Sequence, residues 1–312
     1  MNVELDLGAV RAFVTVADER HFGEAATRLG LSQQAVSKRI ARLEDDLATT
    51  LLHRSRSSGT SLTSDGDAFL PHARALLTVA DQAVAALRAR RRPLRIDVLG
   101  TWLASTELVR EFYQSTGVEV EIVTSQGLRD ARPALADRSV DAAFARVIGT
   151  LDESIAHHPA YLEPLHLLVG RRHPLARRRS VTVAELVGGT AWMPDNQPGS
   201  EWADYYEALE EELGIRIDTT GPHFGFDHLL EELGRSTDWF SFAAERMRVP
   251  WYPDVVQIPI VQPIPVYPWS LLLNRHHPHP ALPRLVRHVA ENFTPLDPAR
   301  QWVPPADRAS FG

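Results

Sequence analysis

The sequence predicts an α/β protein led by an all-α winged helix-turn-helix module and a long linker helix. Three observations carry this. The stretch FGEAATRLGLSQQAVSKRIAR, from Phe22 to Arg42, reads as two short helices broken at Gly30. Apolar residues at Phe69, Ala73, Leu77, Ala80, Val84 and Leu87 then hold helical and finally heptad spacing. From Leu94 the period drops to two, and strand-like and helix-like segments alternate as in a sheet with helices on its faces.

The elements follow in order. Leu7 to Ala17 is a first helix, with Asp6 as its N-cap and Val10, Phe13, Val14 and Ala17 as its inner stripe. Phe22 opens the second helix, where Ala25, Ala26 and Leu29 share one face. Gly30 gives the backbone freedom a sharp turn needs. Ser32 caps the next helix, which ends near Leu47. Its Ala35, Val36, Ile40 and Leu43 point inward. Ser32, Gln33, Gln34, Ser37, Lys38, Arg39 and Arg42 are left outside. That outer set suits double-stranded DNA: Gln pairs bidentately with adenine, Arg with guanine, and Ser or Lys with phosphates and base edges. The segment LLHRSRSSGTSLTSDG reads as a winged hairpin whose Arg54 and Arg56 reach phosphates. Thr63 caps the linker helix, which holds Pro71 early and closes at Arg88–Arg92 and Pro93. Its seam predicts a dimer whose paired reading helices meet two half-sites.

Beyond Leu94, the pattern predicts strands at Leu94–Gly100, Val118–Val123, Ala142–Ala145 and Leu165–Val169. Helices are expected near Leu103–Tyr113 and through Leu135. The Pro-rich tail after Phe293 is expected to be peripheral.

Charge is divided along the chain. The net charge of −7 hides 13 Lys+Arg against 11 Asp+Glu through Arg92, and 20 against 29 afterwards. The basic end is the one expected to approach phosphates. Lys38, on the reading helix, is the only lysine among 312 residues. The absence of cysteine removes disulfide and thiolate chemistry and fits a reducing cytoplasm. The start MNVELDLGAV lacks the pattern of a secretory signal, and no stretch approaches the ~20 apolar residues of a membrane helix.

The pattern Phe22, Ala25–Ala26, Leu29, Ser32, Ala35–Val36–Ser37, Ile40, Leu43–Glu44, Leu47, Leu51, Arg54, Leu62–Thr63 and Gly66 resembles the LysR-type transcriptional regulators. The likeness is dense through Gly66 and thinner to about Phe293. Ala48, Leu52 and His21 depart from the usual glycine, phenylalanine and serine. The resemblance implies domains at 1–62 (winged helix-turn-helix), 63–92 (linker) and 93–312 (effector-binding). It divides the last into two subdomains like a periplasmic binding protein, about 93–163 plus 275–293 and about 164–274. The crossings would fall near Leu162–Pro164 and Asn274–Arg275. It also implies a homodimer or homotetramer, with RNA polymerase as a candidate further partner.

In open α/β sheets ligands gather beyond the carboxyl ends of strands. Thr101 and Trp102 follow the first strand, Ser125 the second and Arg146 the third. Pro194, within Trp192–Asp195, and Phe224 and Phe226 are candidates from the second half. In the family, residues at such positions line the effector site. A helix N-terminus with one arginine suits a small carboxylate effector, and no resident cofactor is expected. His276, His277 and His279, like the pair His157–His158, do not have zinc spacing, so no metal is assigned. There is no Gly-x-Ser-x-Gly elbow, Gly-Lys phosphate loop or His-Glu-x-x-His, and no enzyme is predicted. The expected function is an effector-controlled, sequence-specific DNA-binding regulator. The competing reading is a small-molecule-binding protein whose N-terminal module mainly dimerises it.

Overall fold

The computed structural model describes residues 4–55, 59–89, 92–194, 196–222, 224–247, 251–276 and 279–312; for 54, 55, 59 and 85–89 it describes the backbone alone. The chain forms two compact units, Met1–Arg88 and Ala89–Gly312.

The first unit holds α1 (Leu7–Glu19), α2 (Phe22–Leu29), α3 (Gln33–Leu47), β1 (Leu52–Ser55), β2 (Gly59–Leu62) and α4 (Ser64–Ala89). Its caps follow from local chemistry. Asp6 accepts from the Gly8 amide at 2.7 Å, and Ser32 from the Ala35 amide at 3.2 Å. His21 does the serine's work for α2, its Nδ1 accepting from the Gly23 amide at 3.1 Å. Gly30 closes α2 in the left-handed region at φ 65°. Thr63 Oγ1 accepts from the Gly66 amide at 2.9 Å and so starts α4. Gly66 itself is required by close approach, since a Cβ there would lie 2.1 Å from the Leu51 carbonyl oxygen.

Val10, Phe13, Val16, Ala25, Ala26, Val36, Ile40 and Leu43 form the small core. The inner stripe of α1 is rotated from the expected one. Ala9, Ala12 and Val16 are buried, whereas Val14 and Ala17 are half-buried. The linker helix also differs from expectation. Ala73 and Leu77 pack into this unit's own core, because α1 and α3 alone leave it uncovered on that side. Among the described side chains of α4, Leu76, Val79 and Val84 are the large apolar ones that are exposed, and Leu87 has only its backbone described.

The second unit runs β3 (Leu94–Val98), α5 (Ala104–Thr116), β4 (Val120–Thr124), α6 (Leu128–Ala136), β5 (Ala142–Ala145) and β6 (Ile155–Gly170). It continues with β7 (Val181–Thr182), α7 (Val183–Leu186), β8 (Thr190–Trp192), α8 (Glu201–Leu213), β9 (Arg216–Asp218), α9 (Phe226–Arg235), β10 (Trp239–Ala244) and β11 (Val255–Val261). It ends with β12 (Ile264–Asn274), α10 (Leu282–Asn292), β13 (Gln301–Trp302) and α11 (Arg308–Phe311). The sheet order is β4-β3-β5-β12-β6-β10-β8-β9. Two half-sheets are joined by β6 and β12. Residues 155–164 of β6 pair with β12, and 165–170 pair with β10 and β11. Along β6 the change of pairing partner thus falls between Pro164 and Leu165. The return falls earlier than Asn274–Arg275, because Ser270–Leu273 already pair with β5 in the first half. The apolar run of β12 has no turn residue to mark that change of partner.

The tail is not peripheral. Strand β13 pairs with β12, and Trp302, Val303 and Phe311 are buried. The area these side chains remove from water outweighs the local proline signal.

Candidate nucleic-acid interface and ligand cleft

The interface is built on α3. Its inward residues Val36, Ile40 and Leu43 are almost fully buried, which fixes the rotation of the helix. Ser32, Gln33, Gln34, Lys38, Arg39 and Arg42 are exposed on the other side, and Ser37 is half-buried. Arg39 lies against the first turn of α1, where a Cβ on Gly8 would sit 3.5 Å from its Nη1. Arg42 is 3.9 Å from Asp46, a solvent-screened contact that leaves the guanidinium available. Strands β1 and β2 form the two-stranded wing. Arg54 lies on β1 with only its backbone described, and Arg56 lies outside the described residues.

Glu44 is a structural tie that the motif contained without revealing its role. Its Oε1 accepts from the Leu51 and Leu52 amides at 2.8 and 3.1 Å, so one carboxylate ties the end of the reading helix to the start of the wing. Arg11–Asp81 and Arg74–Asp18, each 2.6 Å, join α1 to α4 and hold the base of the linker in place.

In the second unit the parallel strands β4, β3 and β5 carry Ser125, Thr101 and Arg146 just past their carboxyl ends. Ser125 donates to Asp97 Oδ2 at 2.8 Å and accepts from the Gly127 amide at 3.2 Å. Asp97 is buried, and that burial pushes its carboxyl up to about 6 against the pull of the Ser125 hydroxyl. Thr101 is exposed, and the Trp102 indole folds against Gly100, where a Cβ would lie 2.7 Å from the ring.

Arg146 is 1% exposed and has three partners. It donates from Nε to Asp307 Oδ2 at 3.0 Å and from Nη1 to the Glu201 carbonyl at 2.9 Å. Its Nη2 lies 2.7 Å from Asp204 Oδ2 and 2.9 Å from Asp307 Oδ2. Burial alone would push the guanidinium down, but Asp307 and Asp204 outweigh it and hold it above its ordinary value.

The Glu201 side chain crosses from α8 to the other half, where its Oε2 accepts from the Leu128 amide at 2.8 Å. It thus sits at the N-terminus of α6, where amide dipoles favour an anion. Gly127 makes room for it: a Cβ there would be 2.5 Å from Oε1. Oε1 has no hydrogen-bond partner among the described residues. Burial pushes this carboxyl up to about 7, although the Leu128 amide, its own amide and Arg146 favour its charged form. Beside it, Trp202 stacks on Tyr267 at 3.8 Å, and Tyr267 and Trp269 from β12 complete an aromatic layer between the halves.

Ser125, Glu201 and Arg146 are therefore linked through α6 and α8. The remaining candidates lie apart. Pro194 is half-buried in the turn after β8, and Phe224 is 73% exposed with its edge on His228. Phe226 opens α9 and packs on Leu168, Leu230, Leu233 and Ala243, inside the second half's own core. Asp204, Glu201 and Asp307 escaped sequence reading because no local spacing connects them to Arg146. Among the described residues no group of histidines and carboxylates could hold a metal ion, and no helix is long and apolar enough to cross a membrane.

The sequence profile of the bacterial regulatory helix-turn-helix proteins of the lysR family matches residues 7–67. That of the LysR substrate binding domain matches residues 87–294. The uncharacterized regulator YnfL of Escherichia coli is 33% identical over 195 residues, 60% of this chain and 64% of that protein. The regulator AlsR of Bacillus subtilis is 29% identical over 196 residues, 58% of this chain and 62% of that protein. The chain thus matches less than two thirds of the length of either relative. Among solved structures, CbnR, a LysR family transcriptional regulator, superposes with a TM-score of 0.53 at 24% identity, covering 91% of this chain and 100% of CbnR. Full-length CbnR with its target DNA gives 0.52 at 24% identity over 92% of this chain and 99% of CbnR. At that identity the likeness speaks for the fold.

Proposed function

The chain belongs to the LysR family of bacterial regulatory proteins, and on that premise we propose that it is a sequence-specific DNA-binding transcriptional regulator controlled by a small-molecule effector. The observation that carries this is the outer face of α3. Gln33, Gln34, Lys38, Arg39 and Arg42 stand exposed on a helix whose opposite face is locked into a core. Such a face offers the bidentate amide and guanidinium groups that read adenine and guanine in a major groove. The wing bearing Arg54 and Arg56 contributes phosphate contacts.

A homodimer brings two such faces onto two half-sites, and the exposed Leu76, Val79 and Val84 of α4 supply apolar surface for that pairing. A homotetramer and contact with RNA polymerase belong to the same reading, and so does a cytoplasmic location beside the DNA. The effector is a small carboxylate held between the halves of the second unit, around Thr101, Trp102, Ser125 and Arg146; Pro194, Phe224 and Phe226, which lie apart from these, are left out of it. Two anion-receptive groups support it, the α6 N-terminus and Arg146, each now facing one of the chain's own carboxylates.

Selection of bound duplexes from a random DNA pool with the full chain tests the proposal. Enrichment of an inverted pair of half-sites about one helical turn apart, ~34–36 Å, is expected. Recovery of no shared motif would sink it.

A further inference from the structure

Residues 295–312 follow the part of the chain matched by the substrate-domain profile, which ends at 294. They nevertheless reach the junction of the two halves. Strand β13 adds to β12 beside Ile264 and Pro265, at the start of the return crossing. Trp302 packs edge-on against Tyr205, and its Nε1 donates to Glu212 at 2.8 Å, so the segment is fastened to α8. Arg308 meets the same Glu212 at 2.9 Å. Phe311 turns back on Phe293, and the Leu296 amide donates to the Phe311 carbonyl at 2.8 Å, closing residues 296–311 into a loop. From that loop Asp307, 6% exposed, delivers one carboxylate to Arg146 at the carboxyl end of β5.

Two features set this contact apart from ordinary packing. Arg146 is a buried cation on the first half, and its partners Asp204 and Glu201 come from α8 of the second half. Asp307 is thus the third party to a joint between halves. It arrives on a segment that the β13–β12 pairing and the Trp302 and Arg308 contacts to Glu212 also hold, and its own tie runs through Arg146 to the first half. One carboxylate oxygen, Oδ2, takes both Nε and Nη2, a charge-assisted contact that a free carboxylate can also make with an arginine.

We propose that residues 295–312 are a releasable strap, and that Asp307 fills an intramolecular carboxylate site on Arg146 which holds the two halves together. Release of the strap frees Arg146 for a small external carboxylate and loosens the joint at α6 and α8. This rests on the reading of the junction as the effector site. Its test uses neither DNA nor effector, so a failed operator search and a failed strap remain separate results.

The test is chemical rescue in the full chain. Asp307→Gly deletes a side chain of the size of acetate, and acetate is the probe. Amide hydrogen exchange is followed in the tail (296–311), at the start of α6 (126–130) and in the crossing strands (161–165 and 266–269). In Asp307→Gly all three regions should lose protection by about tenfold or more. Sodium acetate at roughly 0.1 M should restore it to within about twofold, and the same concentration of chloride should not. Asp307→Asn keeps the shape without the charge. It should show the same loss with no rescue, because its amide fills the space acetate needs; it serves as the reading if the glycine variant does not fold. Equal effects of acetate and chloride would overturn the proposal. So would loosening confined to 296–311, which would make the tail a cover with no hold on the joint.

Discussion

Arg146 and Asp307 are 161 positions apart in the chain and meet as a buried ion pair, Nη2 to Oδ2 at 2.9 Å. The arginine comes from the end of an early strand and the aspartate from the tail, so the pair closes the second unit on itself. Arg146 therefore has structural duties as well as its proposed place in the effector site.

Removing it has a first consequence for stability. Arg146→Ala leaves Asp307 buried without its cation, and breaking such a pair by deleting one partner costs ~3–5 kcal/mol. Chemical unfolding of the second unit should show that loss, whereas Asp204→Ala, whose carboxylate is half-exposed, should lose far less. Equal small losses for both would mean that the joint bears little of the unit's stability.

The pH dependence of stability should report Glu201. Its folded carboxyl lies near 7 and its unfolded one near 4.5. The folded state then holds the proton more tightly, so this contribution is complete below about pH 4.5 and is lost as pH rises to 7. Glu201→Gln keeps an acceptor for the Leu128 amide and removes the charge. At pH 8 it should be more stable than the parent, by on the order of 3 kcal/mol, with the difference fading toward pH 4.5. A melting difference that does not change with pH would contradict this.

Ala48 ends α3 in the left-handed region, φ 53° and ψ 34°, where glycine is the low-strain residue. Ala48→Gly should relieve the side-chain clash, partly offset by a more flexible unfolded chain, for a net gain of ~0.5–1 kcal/mol. Differential scanning of the first unit's transition checks it, and a net loss would show that the turn is already relaxed.

Assembly should separate Leu77 from Val79 and Val84. Leu77 is 8% exposed inside the first unit's core, whereas Val79 and Val84 are 64% and 49% exposed. Leu77→Asp should unfold that unit. Val79→Asp or Val84→Asp should leave it folded and shift light scattering from dimer to monomer. A fully dimeric Val84→Asp variant would move the interface elsewhere.

Local chemistry made the first unit readable. Asp6, Ser32 and Thr63 cap the helices that the sequence assigned to them, because a cap depends on neighbours a few positions away. The second unit was readable only in its short strands. Of the 16 residues of β6 only the last part showed as a strand, since Pro159, Pro164 and the His157–His158 pair interrupt the alternation. The effector-site candidates next to β3, β4 and β5 came from strand ends. The residues that meet Arg146 and the start of α6, Glu201, Asp204 and Asp307, are brought in by tertiary folding, and no spacing encodes them. Phe226 looked like a cleft aromatic for the same reason that any core aromatic does.

The reading of α3 is best judged by comparing Gln34→Ala with Arg54→Ala on the selected operator and on a scrambled duplex across a salt series. Gln34→Ala should lose ~1–3 kcal/mol of discrimination at particular base pairs while its salt slope stays put. Arg54→Ala should weaken binding to both duplexes alike and lower the salt slope by about one unit. If Gln34→Ala binds operator and scrambled duplex with the parent's preference, α3 does not read the DNA and the proposed function is wrong.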